Sequence, residues 1–194
     1  VKIAALILAG GASRRMGRPK ARLELAGRSF VVRGVDLVRA AGCAPVVVVD
    51  GAHRLDPAEV AGAELVHNAA WEQGPLSSLQ LGLRRALELE PALAGLLVHH
   101  VERPRVAPET VRELITGLRR EPECVWQPSH GGRSGHPLLW PQSLFAALLE
   151  LDPEHQSART LVRSPAARRR KLELDDPGVL DNVDTPEELA QLRS

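Results

Sequence analysis

Short apolar runs alternate along the chain with longer stretches in which apolar residues return every three or four positions. IAALILAG, residues 3–10, is continuously apolar and stops at glycine, as expected of a strand buried on both faces. PVVVVD at 45–50 and GLLVHHV at 95–101 have the same character, and 63–67 is a weaker strand. Between them, 30–41, 76–90 and 108–120 carry the helical period. This alternation predicts a three-layer α/β/α fold. Its sheet is mostly parallel and Rossmann-like, with helices on both faces and right-handed crossovers.

The rhythm changes after residue 120. CVWQPSH, GGRSG and HPLLW follow one another, two short strands joined by a glycine-rich loop, which predicts a small antiparallel insertion at the sheet edge. Helical segments are expected at 143–151 and 158–163. A basic run at 168–171 precedes the strand-like LEL and reads as a solvated face. The last element opens with DNVDTPEEL, in which Thr185 suits the N-cap, Pro186 the first helical position and Glu188 the third. With 194 residues and no repeat, low-complexity tract or linker, one domain spanning 1–194 is expected.

Composition narrows the picture by exclusion. Charged residues make up 25% and the formal net charge is +1, which supplies no overall bias toward nucleic acid or an anionic membrane. No apolar stretch approaches the roughly 20 residues of a membrane helix. The opening VKIAALILAGG is too short for a secretory signal and most nearby basic residues follow it, so a cytoplasmic protein is expected. Cys43 and Cys124 form no C-x-x-C pair and read as free thiols.

The most informative stretch is LAGGASRRMGRPK, residues 8–20, directly after the first strand. Ligands of parallel α/β sheets sit outside the carboxyl ends of the strands. There, Gly10, Gly11, Ala12 and Ser13 can bring backbone N–H groups close to phosphate oxygens. Arg14, Arg15 and Lys20 add positive charge. Neither G-x-x-x-x-G-K-[ST] nor an in-phase G-x-G-x-x-G is present, which disfavours a P-loop NTPase or a standard dinucleotide fold.

The same stretch resembles the L-A-G-G-x-S-x-R-M-G-x-P-K motif of the MobA-like NTP transferases. These are the molybdenum-cofactor nucleotidyltransferases, related to the sugar-phosphate and methylerythritol-phosphate enzymes. Leu8, Ala9, Gly10, Gly11, Ser13, Arg15, Met16, Gly17, Pro19 and Lys20 fill every fixed position. NAAWEQGPLSSLQLGL, residues 68–83, is similar to the family's W-x-x-G-x-x-S-S-L segment. The resemblance implies that Gly74, Pro75, Leu76, Ser77 and Ser78 face the nucleotide's base and ribose, with the helix offering two hydroxyls. Where the family has a strand ending in Asp-x-Pro, this chain has Glu102, Arg103 and Pro104. Glu102 is then one ligand of Mg²⁺, displaced by an extra carbon–carbon bond of about 1.5 Å. Arg103 is expected to pair with it. DNVDTPEEL resembles the family's ending and implies Asp184 as second metal ligand. GGRSGHPLLW resembles the G-x-x-G-H/N-P segment and implies an acceptor pocket with Gly135 and His136. Of His99 and His100, one reads as a satisfied interior histidine.

By this resemblance the fold is of the nucleotide-diphospho-sugar transferase type. The reaction moves an NMP from an NTP to a phosphorylated small molecule, molybdopterin first, with release of pyrophosphate. Arg15 and Lys20 steady the α-phosphate and the leaving group. The M-G-x-P-K spacing and Trp71…Ser77-Ser78 lean toward CTP, the Gly10-Gly11 pair toward GTP, and CTP is preferred. A sugar phosphate or phospho-alcohol is the alternative acceptor. A nucleotide-binding protein weakened by Glu102 is the alternative class. A monomer or weak homodimer is expected, with no nucleic-acid or membrane partner.

Overall fold

The computed structural model describes residues 1–193. Its strands are β1 (Ile3–Leu8), β2 (Glu24–Leu25), β3 (Arg28–Ser29), β4 (Val46–Asp50), β5 (Glu64–His67), β6 (Gly95–His100), β7 (Cys124–His130), β8 (Arg133–Ser134), β9 (Leu138–Pro141) and β10 (Arg168–Glu173). Its helices are α1 (Phe30–Ala40), α2 (Pro75–Leu89), α3 (Pro108–Arg120), α4 (Phe145–Glu150), α5 (Ala158–Val162) and α6 (Pro186–Arg193).

The main sheet runs β10-β7-β9-β6-β1-β4-β5, with β8 hydrogen-bonded to β7 and β2–β3 forming a separate hairpin. β6, β1, β4 and β5 are mutually parallel. Alternation along β1 explains why the sheet needs cover on both sides. Ile3, Ala5 and Ile7 enter one core with Val35 and Val38 of α1 and Leu114 and Leu118 of α3. Ala4, Leu6 and Leu8 enter the other with Leu79 and Leu83 of α2 and Leu148 of α4. Val46 and Val48 of β4 follow the first core, Val47 and Val49 the second. Each fully buried side chain of this size contributes roughly 1.5–3 kcal/mol, so an unbroken apolar strand is stable only as an inner layer.

Two expectations about the second half change. The antiparallel insertion is not at the edge. β9 lies between β6 and β7 and pairs antiparallel with both, so it continues the main sheet. The edge belongs to β10, which pairs parallel with β7. The basic run is therefore the strand itself, not a lead into it. It remains solvated, as expected, because an edge strand needs only one partner and its charged side chains stay exposed.

Both cysteines are free and buried. The final helix starts as its residues dictate. Glu188 N donates to Thr185 Oγ1 at 3.3 Å, and Thr185 N donates back to the Glu188 carboxylate at 2.9 Å. Among the described residues, no helix is long and apolar enough to cross a membrane.

Candidate active site

The segments following β1, β5 and β6 surround a cavity of about 270 Å³. Leu8, Ala9, Gly10, Gly11, Ala12 and Ser13 line one wall, with Lys20 beside them. Trp71, Glu72, Gly74, Pro75 and Ser78 line another, and His100, Val101 and Glu102 close the third. Most of the expected nucleotide site is thus gathered in one place.

The wall after β1 is an open loop. Ser13 has a φ of 53°, and its carbonyl accepts the N–H groups of Met16 at 3.1 Å and Gly17 at 3.0 Å. Its hydroxyl accepts Lys20 N at 3.1 Å, which ties the two ends of the motif together. Among the described residues, the N–H groups of Gly11, Ala12 and Ser13 have no protein acceptor. All three residues line the cavity, and unpaired amides in a concavity suit an anion.

The second wall differs from expectation in its hydroxyls. Asn68 Nδ2 donates to Ser77 Oγ at 2.8 Å and to Ser78 Oγ at 2.9 Å. Ser77 Oγ in turn donates to Gly74 O at 2.8 Å. Both hydroxyls accept from Asn68 and hold the 68–74 turn onto α2; that of Ser77 also donates back into the turn, while that of Ser78 keeps its own proton available. Leu76 and Ser77 are buried and do not line the cavity; Ser78 touches it. Ser78 also faces the loop, since a Cβ on Gly10 would stand 3.2 Å from its Oγ.

Glu102 and Asp184 approach through the backbone. Val183 N donates to Glu102 O at 3.0 Å, which sets the C-terminal segment against the end of β6. Asp184 accepts Arg15 Nη2 and Asn182 Nδ2, each at 2.7 Å, and Lys20 Nζ on its other oxygen. Burial pushes the Asp184 carboxyl up, but Lys20, Asn182 and Arg15 outweigh it and hold the group below its ordinary range. Lys20 thus bridges cavity and carboxylate, while Arg15 stays exposed at the rim and does not line the cavity.

Arg103 does not pair with Glu102. Its Nη1 donates to Val179 O at 3.0 Å and to Asp181 O, clamping the C-terminal segment. The Glu102 carboxylate instead has His100 Nδ1 at 3.7 Å.

Gly135 and His136 stand behind the wall, not in it. A Cβ on Gly135 would lie 2.5 Å from Val179 O, so this glycine is required by packing. The His136 ring meets His100 edge-on, centroids 5.1 Å apart. Burial drives the His136 imidazole down to about 2, with His100 and Arg103 adding like charge. His99 is buried, but its Nδ1 has no partner, so it is not the satisfied interior histidine expected. Burial first, then His100 and Arg103, push it down to about 3.

Residue reasoning overlooked His53, whose ring touches the loop after β1, and the part of Asn68 in ordering α2. Asn68 opens a stretch already singled out; His53 sits in a turn with no pattern at all.

Comparison with known proteins adds an independent finding. The family model described as the MobA-like NTP transferase domain matches residues 5–171. The chain is similar to the molybdenum cofactor guanylyltransferase of Rhizobium meliloti, 34% identical over 96% of this chain and 88% of that one. It is similar in structure to Rv0371c from Mycobacterium tuberculosis H37Rv, with TM-score 0.81, 27% identity, and 100% and 97% of the two chains covered. A manganese complex of Rv0371c aligns with TM-score 0.77 and 25% identity, over 100% of this chain and 98% of that one.

Proposed function

We propose that this chain, which belongs to the MobA-like NTP transferase family, moves a guanylyl group from GTP to molybdopterin and releases pyrophosphate. Nucleotidyl transfer is the activity of the group it belongs to. The relative from Rhizobium meliloti is a guanylyltransferase, and this moves the donor preference from CTP, which the residues alone favour, to GTP.

One observation carries the reading. A single cavity holds unpaired loop amides, a lysine and a carboxylate on facing walls. Phosphate oxygens suit the amides of Gly11, Ala12 and Ser13, and Lys20 adds a mobile charge where the leaving pyrophosphate gains one. An oxygen of the acceptor's phosphate attacks the α-phosphorus, and the bond from that phosphorus to the β-bridging oxygen breaks. The attacking phosphate is already ionised near neutral pH, so the protein's task is alignment and charge stabilisation. Arg15, exposed and paired with Asp184, would meet phosphate oxygens as they enter.

The residues fit a hard divalent cation such as Mg²⁺. Glu102 lines the cavity and its carbonyl accepts Val183 N, the residue before Asp184, so Glu102 and Asp184 are the two hard oxygen donors that would hold the ion in this reading. When bound, the metal would neutralise charge on the phosphate oxygens. Lys20 and Arg15, which pair with Asp184, would contribute positive charge to the nucleotide's phosphates.

Pyrophosphate release from each of the four NTPs, with Mg²⁺ and with or without molybdopterin, tests the reading. GTP with molybdopterin is expected to give the fastest release, at least tenfold above GTP alone. Equal release with a sugar phosphate in place of molybdopterin would remove the acceptor assignment.

A further inference from the structure

The loop after β1 can greet an anion only if its carbonyl oxygens point elsewhere, and something must hold them there. We infer that His53 is a positioning residue for the triphosphate: its imidazole fixes the Ala12 carbonyl so that the next N–H faces the cavity. The inference rests on the nucleotide reading above.

His53 Nε2 lies 3.0 Å from Ala12 O. A carbonyl can only accept, so Nε2 is the donor. Beside it, Ala52 N donates to Gly10 O at 3.1 Å. The C=O and N–H of one planar trans peptide point in opposite directions. Anchoring Gly10 O therefore turns Gly11 N–H away from residues 52–53, and anchoring Ala12 O does the same for Ser13 N–H. Both Gly11 and Ser13 line the cavity, and neither N–H has a protein acceptor among the described residues.

The two anchors differ in kind. Ala52 uses its backbone, so almost any residue there would serve. His53 uses its side chain, so the Ala12–Ser13 peptide depends on what occupies that position. This is also the peptide in need of a hold, because Ser13 has a φ of 53°, a conformation its Cβ disfavours. Turned over, it would aim a carbonyl oxygen at the phosphates.

His53 itself stands on a firm bed. Gly51 has no room for a Cβ, which would meet Gly10 O at 2.7 Å. The buried Asp50 carboxylate accepts Leu55 N at 2.8 Å, and Arg22 donates to Arg54 O at 2.8 Å. The imidazole is thus delivered by a segment pinned on both sides.

The test compares wild type, His53→Ala and His53→Gln in GTP binding with Mg²⁺, in KM and kcat, and in the melting midpoint without nucleotide. Loss of one oriented donor should weaken GTP binding by roughly tenfold. In His53→Ala, KM should rise by a similar factor, with kcat at saturation within about threefold of wild type. His53→Gln, whose amide can donate to the same carbonyl, should recover most of the loss, and melting midpoints without GTP should stay within a few degrees. Unchanged GTP affinity in His53→Ala would overturn the inference alone. So would a His53→Gln variant as weak as His53→Ala. A folded wild type that binds no NTP would overturn the functional reading and this inference together.

Discussion

At Asp184, one carboxylate receives Arg15, Lys20 and Asn182, so the two cations proposed to meet the triphosphate converge on the proposed metal ligand. Under the proposed function Glu102 is the other ligand, and metal coordination tolerates little change in its reach. Glu102→Asp withdraws the carboxylate by one carbon–carbon bond, about 1.5 Å, from its place in the cavity wall. A misplacement of about 1 Å costs roughly a hundredfold in rate, so Glu102→Asp should lower kcat by about 10- to 100-fold in steady-state assays. A gain would instead mark Glu102 as the change that weakened the enzyme. At this scale, the gathering of Gly10 to Ser13 and Lys20 around one cavity was legible, because a glycine-rich turn after a buried strand restricts residue type within a few neighbouring positions. Gly135 was not. Its lack of a side chain answers to Val179, far away in sequence, and no local pattern records that. Ser77 carries a related ambiguity: a hydroxyl at a helix start can serve a ligand or the turn before it, and here it bonds Asn68 and Gly74.

Among the elements, α3 packs tightly where it crosses β7. A Cβ on Gly117 would stand 2.6 Å from atoms of the Trp126 ring, a rigid neighbour with nowhere to move. Gly117→Ala should therefore destabilise the protein by about 1–3 kcal/mol, although alanine is the better helix former. Urea unfolding would show it, and an unchanged midpoint would mean that helix and strand separate freely. The inner strands were legible because burial on both faces leaves few polar positions: none in β1, and in β4 only the closing Asp50. The order of β9 and β10 was not. A short apolar strand reads the same at an edge or inside a sheet, and four successive cations obscure the strand that carries them. Only pairing partners distinguish these cases.

For the molecule as a whole, acid should act through buried histidine. His99, enclosed at the end of β6, is pushed down to about 3 from an ordinary 6.5. Below pH 6.5 the unfolded chain takes up a proton that the folded protein refuses. Stability from this group is therefore complete above about pH 6.5 and falls as pH drops toward 3. Replacing it by leucine removes the proton, so unfolding midpoints of His99→Leu should fall less steeply over that range. Equal slopes in the two proteins would show that His99 is protonated in the fold. The architecture itself followed from the rhythm of apolar runs, since two cores on one sheet need an apolar residue at nearly every inner-strand position.

The central claim is that the cavity beside the opening loop aligns a nucleoside triphosphate for attack at its α-phosphorus. GTP labelled at that phosphate, incubated with Mg²⁺ and molybdopterin, tests it most directly. Label should pass to the acceptor with one pyrophosphate released per transfer, and Lys20→Ala should slow transfer by roughly a hundred- to a thousandfold. Folded protein that leaves the label on GTP, or transfers it at the same rate without the Lys20 ammonium, would contradict it.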